Sequence, residues 1–348
     1  MDTSEIEQLA VQLDCLLPQD AGPGQTKTSH RVCYKNEGRS IDQERRWRLE
    51  LEKIIRKNKK QQKFDENRNL SPTSDKKCSE THHNNVVSKP KGYCGHSWRS
   101  FSMHLMLGEW FLFLPPTIEQ DYLMKICPKG RHVMVRAAKG RTEIISRCGK
   151  RLFVTVSCLP GGGLGQSDAQ NRNNSSTLDC IMHSETVDLF ASPPSDPHLD
   201  LTGCVLYVLD LVHFRKTSYM DIPFRERCSW LETFLKDELE KTVEESQIQF
   251  KVIPSVPCDR QSMIDTFSTE TSFEVDGILF YHGLVGYEPG ATPLVAWMKP
   301  YMLTEWFPYL SVHPSYLKDV PVEYTTCIEE VQKQENARRL APAKLSSK

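Results

Sequence analysis

The sequence has no run of apolar residues long enough to cross a membrane. None of its windows reaches the roughly 18 uninterrupted apolar residues of a spanning helix. It also lacks the basic start and apolar stretch of a secretory signal, since residues 1–28 carry five acidic side chains and one lysine. These absences exclude an integral helical membrane protein and predict a soluble, non-secreted chain.

Paired CxxC spacing is missing too, although the chain contains 12 cysteines. Scattered cysteines in a chain without a secretory signal predict reduced thiols in the core rather than disulfides. One cluster contains side chains that bind zinc, but its spacing matches no standard zinc finger and its segment is typical of a linker. Its members are Cys78, His82, His83, Cys94 and His96. The sequence therefore predicts no metal site and no cofactor.

Positive charge is concentrated in one stretch. Residues 29–70 carry 13 Lys and Arg against seven Asp and Glu, in a chain whose net charge is −1. No Gly or Pro occurs between Gly38 and Pro72, and residues 40–64 are mostly good helix formers, which predicts a long helix. Its low apolar content predicts that it does not pack deeply against its own domain. A basic helix of this kind favours an acidic partner; the alternative is a solvated charged helix.

The chain is expected to divide into five segments. Residues 1–28 hold an apolar stripe at helical spacing, Ile6, Leu9, Leu13 and Leu16, which indicates either a peptide that binds a partner's groove or an ordinary amphipathic terminus. The basic helix occupies residues 29–70, and the polar residues 71–97 are typical of a flexible linker. A globular domain is predicted over 98–320, followed by a charged, disordered tail over 321–348.

The globular segment is predicted to be α+β with a mainly antiparallel sheet. Strand candidates dominate and helical segments are interspersed irregularly, which argues against a doubly wound parallel sheet. The predicted helices are Trp98–Trp110, Pro223–Lys241 and Arg260–Thr266. The predicted strands are Tyr122–Cys127, His132–Ala138, Thr142–Ile145, Arg151–Val156, Leu178–His183, Cys204–Phe214, Gln249–Ile253, Val275–His282 and Leu294–Met298.

Three short segments resemble motifs of the nucleotidyltransferase superfamily, which includes the RNA-capping guanylyltransferases and the ATP- and NAD-dependent ligases. They are TLDC (177–180), VDGILF (275–280) and LVAWMKP (294–300). Those enzymes form a covalent intermediate through the lysine of a KxDG motif. The counterpart here is Ala137–Gly140, where the nucleophile position is alanine, and a methyl group supplies no amine. The resemblance implies a nucleotidyltransferase-like fold that is not an enzyme.

Longer segments resemble the snurportin family of nuclear import adaptors: LMLGEW (105–110), SCLPGG (157–162), FEVDGILFYH (273–282) and YEPGATPLVAWMKPYM (287–302). The resemblance implies an N-terminal contact with an exportin through Ile6, Leu9, Leu13 and Leu16. It implies a helix that binds importin-β, and a domain that binds the trimethylguanosine cap of small nuclear RNAs. It also implies a protein that shuttles between nucleus and cytoplasm.

The resemblance assigns roles to individual residues as well. Trp297 is expected to stack on the methylated, cationic base, and Trp110 to lie near the methylated exocyclic nitrogen. Arg131 and Arg147 correspond to positions that contact phosphate, where a planar guanidinium suits the anion. The remaining expected cap contacts are Leu107, Gly108, Gly130 and His132. Gly108 departs from the family pattern, which has a serine there, so a hydroxyl contact is lost.

For the basic helix, the expected contacts with importin-β are Arg45, Arg46, Arg48, Arg56 and Lys57. Two alternatives stay open. The chain could be an active nucleotidyltransferase that uses another lysine, such as Lys139, or a general binder of 7-methylguanosine caps. A covalent nucleotide adduct would indicate the first, and equal binding of both cap types would indicate the second.

Overall fold

The computed structural model describes residues 39–69, 105–147, 149–165, 167–185, 201–215, 217–240 and 248–340. The chain divides into two compact units, and the boundary in the basic helix falls after Trp47. One unit contains residues 26–47 and 102–348, and the other contains residues 1–25 and 48–101. The N-terminal stripe, the linker and the cysteine–histidine cluster lie outside the described residues.

The basic helix, α1, spans Arg39–Asn69. It is longer than the predicted 40–64, because no residue before Asn69 breaks the pattern. In the part of α1 after Trp47, Lys53 pairs with Glu50 at 2.6 Å and Arg56 pairs with Glu52. Such pairs lie three or four residues apart on one helix face and add modest stability in water.

The larger unit contains two sheets. The five-stranded sheet has the order β1-β12-β11-β2-β10 and the seven-stranded sheet the order β5-β4-β3-β6-β7-β8, with β9 paired to β7. In the first, the strands are β1 Met106–Trp110, β2 Tyr122–Pro128, β10 Val256–Pro257, β11 Val275–His282 and β12 Gly290–Met298. In the second, they are β3 Arg131–Ala138, β4 Arg141–Ser146, β5 Arg151–Thr155, β6 Ser175–His183, β7 Cys204–Arg215, β8 Thr217–Ser218 and β9 Ile248–Val252.

Only β1 with β12 and β7 with β9 pair in parallel among the described strands; the other pairings are antiparallel. The prediction of an α+β fold with mainly antiparallel sheets is therefore confirmed. Nine strands that the sequence predicted are present within a few residues of their expected bounds, because alternating or continuous β-branched and aromatic runs mark them well.

Short helices connect the strands. They are α2 Ile118–Asp121, α3 Asp168–Asn173, α4 Phe224–Trp230, α5 Lys236–Leu239, α6 Arg260–Phe267, α7 Leu303–Trp306 and α8 Cys327–Leu340. A π-helical turn, Leu231–Leu235, joins α4 to α5, and 3₁₀ turns cover Pro300–Met302 and Pro314–Leu317. Asp259 caps α6, because its carboxylate accepts a hydrogen bond from Ser262 N at 3.0 Å. None of the helices in the described residues combines the length and apolarity needed to cross a membrane.

Each sheet covers its own hydrophobic core. The core of the seven-stranded sheet includes Val133, Val135, Leu178, Leu206 and Phe250. The core of the five-stranded sheet includes Phe111, Ile278, Phe280, Met298 and Phe307. The seven cysteines of the described residues are all free. Burial raises the pKa of the Cys228 thiol to about 12, so it stays protonated at neutral pH. Six of these seven cysteines are buried, in agreement with the predicted core positions, and Cys158 is half-buried.

Three predictions were wrong. Residues 106–110 form strand β1, not the end of a helix over 98–110, because pairing with β12 overrides the local helical spacing. The tail is not disordered throughout, since α8 forms there and buries Cys327 and Val331. The first turns of the basic helix belong to the larger unit and do pack within it, because Trp47 is 1% exposed and its indole N–H donates to the Tyr122 hydroxyl oxygen.

Candidate functional site

A cavity of about 370 Å³ lies between the two sheets of the larger unit. The five-stranded sheet contributes residues of β1, β2, β11 and β12, and the seven-stranded sheet contributes residues of β3, β6 and β7. The cavity is lined by Met106, Leu107, Gly108, Trp110, Pro128, Gly130, His132, Arg147, Ile181, Leu209, Asp276, Leu279, Trp297, Lys299 and Gln334. Seven of the eight cap-contact residues expected from the sequence meet around this one cavity.

The eighth residue, Arg131, does not line the cavity, although both of its neighbours do. Gly130 immediately precedes β3, while Arg131 and His132 are its first two residues. Successive side chains of a strand point to opposite faces, so a strand that directs His132 into the cavity directs Arg131 away from it. Arg147 lies in the turn after β4, where it is exposed and reaches the cavity rim.

The two tryptophans face the cavity from neighbouring strands. Trp110 on β1 is the register partner of Trp297 on β12, and both side chains are half-buried. The register between these strands shifts after Gly108, because three residues of β12, including Pro293, have no partner on β1. Trp297 is therefore not a residue of the apolar interior, and an indole surface remains available to a ligand.

Gly277 sets the position of the Trp297 ring. A Cβ atom at Gly277 would lie 2.2 Å from Cζ2 and 2.4 Å from Cη2 of that ring, and 2.8 Å from the carbonyl oxygen of Met298. No side chain other than hydrogen fits under the indole. The glycine of the VDGILF segment thus lets the ring of Trp297 lie directly against β11.

A buried carboxylate connects the cavity to the start of β1. Asp179, in the TLDC segment on β6, is 2% exposed, and its Oδ1 lies 2.5 Å from Nε2 of His132. Its other oxygen accepts a hydrogen bond from the hydroxyl of Tyr287 at 2.7 Å. The same hydroxyl oxygen accepts from Met106 N at 3.2 Å. These bonds orient His132 and tie β1 to the seven-stranded sheet.

A second buried network holds the segment that carries Tyr287. Arg227 on α4 and Asp210 on β7 are almost fully buried and form two hydrogen bonds, of 2.9 Å and 2.7 Å. Arg227 also donates to the carbonyl oxygen of Val285 at 2.9 Å. Removal of one partner from such a pair typically costs about 3–5 kcal/mol, because the other charge stays buried.

Eight of the fifteen lining residues were not among the expected cap contacts, and three of these eight are polar. Lys299 donates to Asp276 Oδ1 at 2.5 Å and to the Asp276 carbonyl oxygen at 2.9 Å, so this ion pair lies on the rim. Both residues lie in quoted motifs, Asp276 in VDGILF and Lys299 in LVAWMKP, and nothing else in the sequence indicated that they line the cavity. Gln334 comes from α8, and nothing in the local sequence pointed to it. Its Nε2 donates to Glu330 Oε1 at 2.9 Å, which fixes the amide on the helix.

A second cavity, of about 450 Å³, is lined by residues of β7, β9 and the segments around them, among them Tyr207, Phe250 and Phe273. None of the expected cap contacts lines it. Lys139, the alternative nucleophile, lies in the exposed turn between β3 and β4 and lines neither of these two cavities.

The chain matches solved structures of DNA ligases over somewhat more than half its length, at low identity. A mycobacterial DNA ligase D complexed with ATP is 15% identical, with 56% of this chain and 59% of that chain covered and a TM-score of 0.37. Chlorella virus DNA ligase-adenylate is 13% identical, with 57% and 69% covered and a TM-score of 0.38. The bacteriophage T7 ligase complexed with ATP is 12% identical, with 58% and 70% covered and a TM-score of 0.39. The match spans less than two thirds of the mycobacterial protein, and likenesses this distant carry no argument about function.

The family comparison is more extensive. The model of the Snurportin1 m3G cap-binding domain matches residues 104–191 and 197–300, which is more than half of the chain. The matched range includes both tryptophans, the TLDC and VDGILF segments and every described element from β1 to β12. It ends before α7 and α8. The chain therefore belongs to the snurportin family and carries that family's cap-binding domain.

Proposed function

We propose that this chain is a nuclear import adaptor that binds the trimethylguanosine cap of spliceosomal small nuclear RNAs and links the cargo to importin-β. The observation that carries the proposal is the half-buried Trp297 ring, which lies against Gly277 and faces a cavity between the sheets. Trp110 stands beside it on the neighbouring strand. The protein is proposed to shuttle between nucleus and cytoplasm.

The chemistry of the cavity suits a methylated cap. A guanine methylated at N7 carries a delocalised positive charge, which an indole face attracts by stacking and cation–π interaction worth about 1–3 kcal/mol. The exocyclic nitrogen of a trimethylated guanine has lost both donors. Leu107, Gly108 and Leu279 offer apolar surface near Trp110, where a buried acceptor would be left unpaired.

The rim suits the anionic part of the ligand. Arg147 is exposed at the mouth, and Lys299 lies on the rim in contact with Asp276. A triphosphate bridge carries several negative charges, and a guanidinium binds phosphate oxygens through charge-assisted hydrogen bonds. His132, held by Asp179, also lines the cavity.

Fluorescence titration tests the cap part of the proposal. The emission of the wild-type protein is followed as dinucleotide caps with either a trimethylated or a 7-monomethylated guanine are added. We expect stronger quenching at lower concentration with the trimethylated cap, and loss of the response in Trp297→Ala. Equal affinity for the two caps would favour the general cap-binding alternative and count against an import adaptor.

Three further assays test the remaining parts. After incubation with labelled GTP or ATP and Mg²⁺, denaturing gels are expected to show no covalent adduct, since Ala137 replaces the nucleophile; an adduct would establish the enzyme alternative. Purified importin-β is expected to bind the full chain more weakly as salt rises, because the proposed contacts are ionic. These contacts are Arg45, Arg46, Arg48, Arg56 and Lys57. The exportin contact is tested by deleting residues 1–28, and binding to a purified exportin is expected to be lost.

A further inference from the structure

The first turns of α1 are anchored to the reverse side of the strand that carries Trp110. Gln43 is 4% exposed, and its Nε2 donates to the Trp110 carbonyl oxygen at 2.8 Å and to Glu109 Oε2 at 3.0 Å. Its Oε1 accepts from Leu112 N at 3.2 Å. This buried glutamine pairs with two backbone groups and one carboxylate. The contact is therefore specific, because each of these groups would cost about 1–3 kcal/mol of stability if it were buried without a partner.

Arg46, one turn further along α1, forms an ion pair with Glu109. Nη2 donates to Glu109 Oε2 at 2.8 Å, and Nη1 bonds the other oxygen. This is the two-pronged geometry in which arginine binds a carboxylate most strongly. The hydrogen bonds that Arg46 donates to the Glu109 carboxylate raise the pKa of Arg46. The Glu109 side chain is only 16% exposed, whereas that of Arg46 is 43% exposed.

Trp47 completes the contact. Its indole N–H donates to the Tyr122 hydroxyl oxygen at 2.7 Å, and its ring packs edge-on against Phe113 at 5.6 Å between centroids. Gln43, Arg46 and Trp47 are three and four residues apart, so they share one helix face. On that face Gln43 and Trp47 are buried and Arg46 is half-buried, while Arg45, on another face, is exposed.

We infer that the surface formed by Glu109, Phe113, Tyr122 and the backbone of residues 110–112 is an internal competitor for the importin-β-binding helix. The inference rests on the proposed function of α1. A receptor that surrounds a basic helix with acidic side chains must contact Arg46, whose guanidinium is already neutralised by Glu109. The receptor therefore binds fully only when the first turns of α1 leave this surface.

The competition has a measurable consequence. When only a fraction of the molecules has the helix free, the apparent dissociation constant for the receptor rises by the inverse of that fraction. Weakening the internal contact without changing the helix should tighten receptor binding. Glu109→Gln keeps the shape of the side chain but removes its charge, and Gln43→Ala removes three hydrogen bonds without touching an expected receptor contact.

The experiment compares full-length wild type, Glu109→Gln, Gln43→Ala and a control, Glu119→Gln, which removes an exposed acid on α2. Titration with purified importin-β is expected to give about 3- to 10-fold tighter binding for the first two variants and no change for the control. Hydrogen exchange of the amides of residues 42–47 is expected to be faster in the same two variants, which shows that the helix is released.

The outcomes separate the two ideas. Faster exchange with unchanged or weaker receptor binding overturns the competition but leaves the adaptor proposal standing. Unchanged exchange in both variants, with unchanged binding, overturns it as well, since the surface then does not hold the helix. If no protein in the series binds importin-β at any salt concentration, the receptor part of the proposed function fails and the competition fails with it.

Discussion

Substitution of Gly277 by alanine should move the Trp297 ring and weaken ligand binding. The new methyl carbon would lie 2.2 Å from Cζ2 of the indole, whereas carbon atoms in contact lie about 3.5–4.0 Å apart. The ring must therefore withdraw by more than about 1 Å, because the methyl group cannot move freely: the Met298 carbonyl oxygen also lies only 2.8 Å from it and belongs to the backbone.

Two costs follow from this displacement. Overpacking of this kind destabilises a fold by about 1–3 kcal/mol. Loss of a base–indole stack removes about 1–3 kcal/mol of binding energy, which corresponds to a roughly 5- to 150-fold rise in the dissociation constant. The affinity is measured by fluorescence titration with a trimethylguanosine cap dinucleotide, and circular dichroism and thermal unfolding show whether the variant is folded.

Gly108→Ala provides the matched control. A Cβ there would lie 3.1 Å from Cδ2 of Leu279, the end of a side chain that can shift by a few tenths of an ångström. We expect its affinity to stay within about threefold of wild type. A folded Gly277→Ala protein that binds the cap as tightly as wild type would refute the reasoning, because the ring position would then not depend on the glycine.

Three other substitutions give further tests. Gly108→Ser restores the hydroxyl of the family pattern, and its preference for the trimethylated over the monomethylated cap in competition titrations should rise about two- to fivefold, provided that Leu279 yields. Gln334→Ala should weaken cap binding by about 2- to 10-fold in the same titration, with unchanged thermal stability, because the amide lines the cavity from α8. His282→Asn should flatten the pH dependence of urea unfolding. Burial lowers the pKa of His282 to about 3, so the wild type loses stability as pH falls below 6.5, by about 1.2 kcal/mol between pH 7 and 5.5.

The sequence predicted the sheets better than the contacts between elements. Val275–His282 was predicted with its observed bounds, because a continuous apolar run bounded by turn residues marks a buried strand. Residues 106–110 were misassigned because the spacing of Phe101, Leu105 and Trp110 also fits a helix. Only the parallel partner β12, almost 190 residues away, makes this segment a strand.

The apolar and cationic part of the candidate site was predictable from the family resemblance. Trp110 and Trp297 lie in the quoted motifs, His132 was assigned by the same resemblance, and all three line the cavity. Arg131 came from the same resemblance, but the alternation of β3 directs it elsewhere. Gln334 lay in a segment whose charge suggested disorder, and a polar residue gives no periodic signal of its own.

The attachment of α8 has a practical consequence for shortened versions of the protein. Cys327 N donates to Glu305 Oε2 at 2.9 Å, and its sulfur lies 3.6 Å from that of Met302. Helix α8 therefore covers part of the hydrophobic core of the five-stranded sheet. A fragment that ends at residue 300, where the family match stops, would keep both indoles. It would also leave Phe111 and Phe280 without the cover of residues 301–331, and such a fragment would be expected to aggregate. The natural end of this binding domain lies beyond Val331.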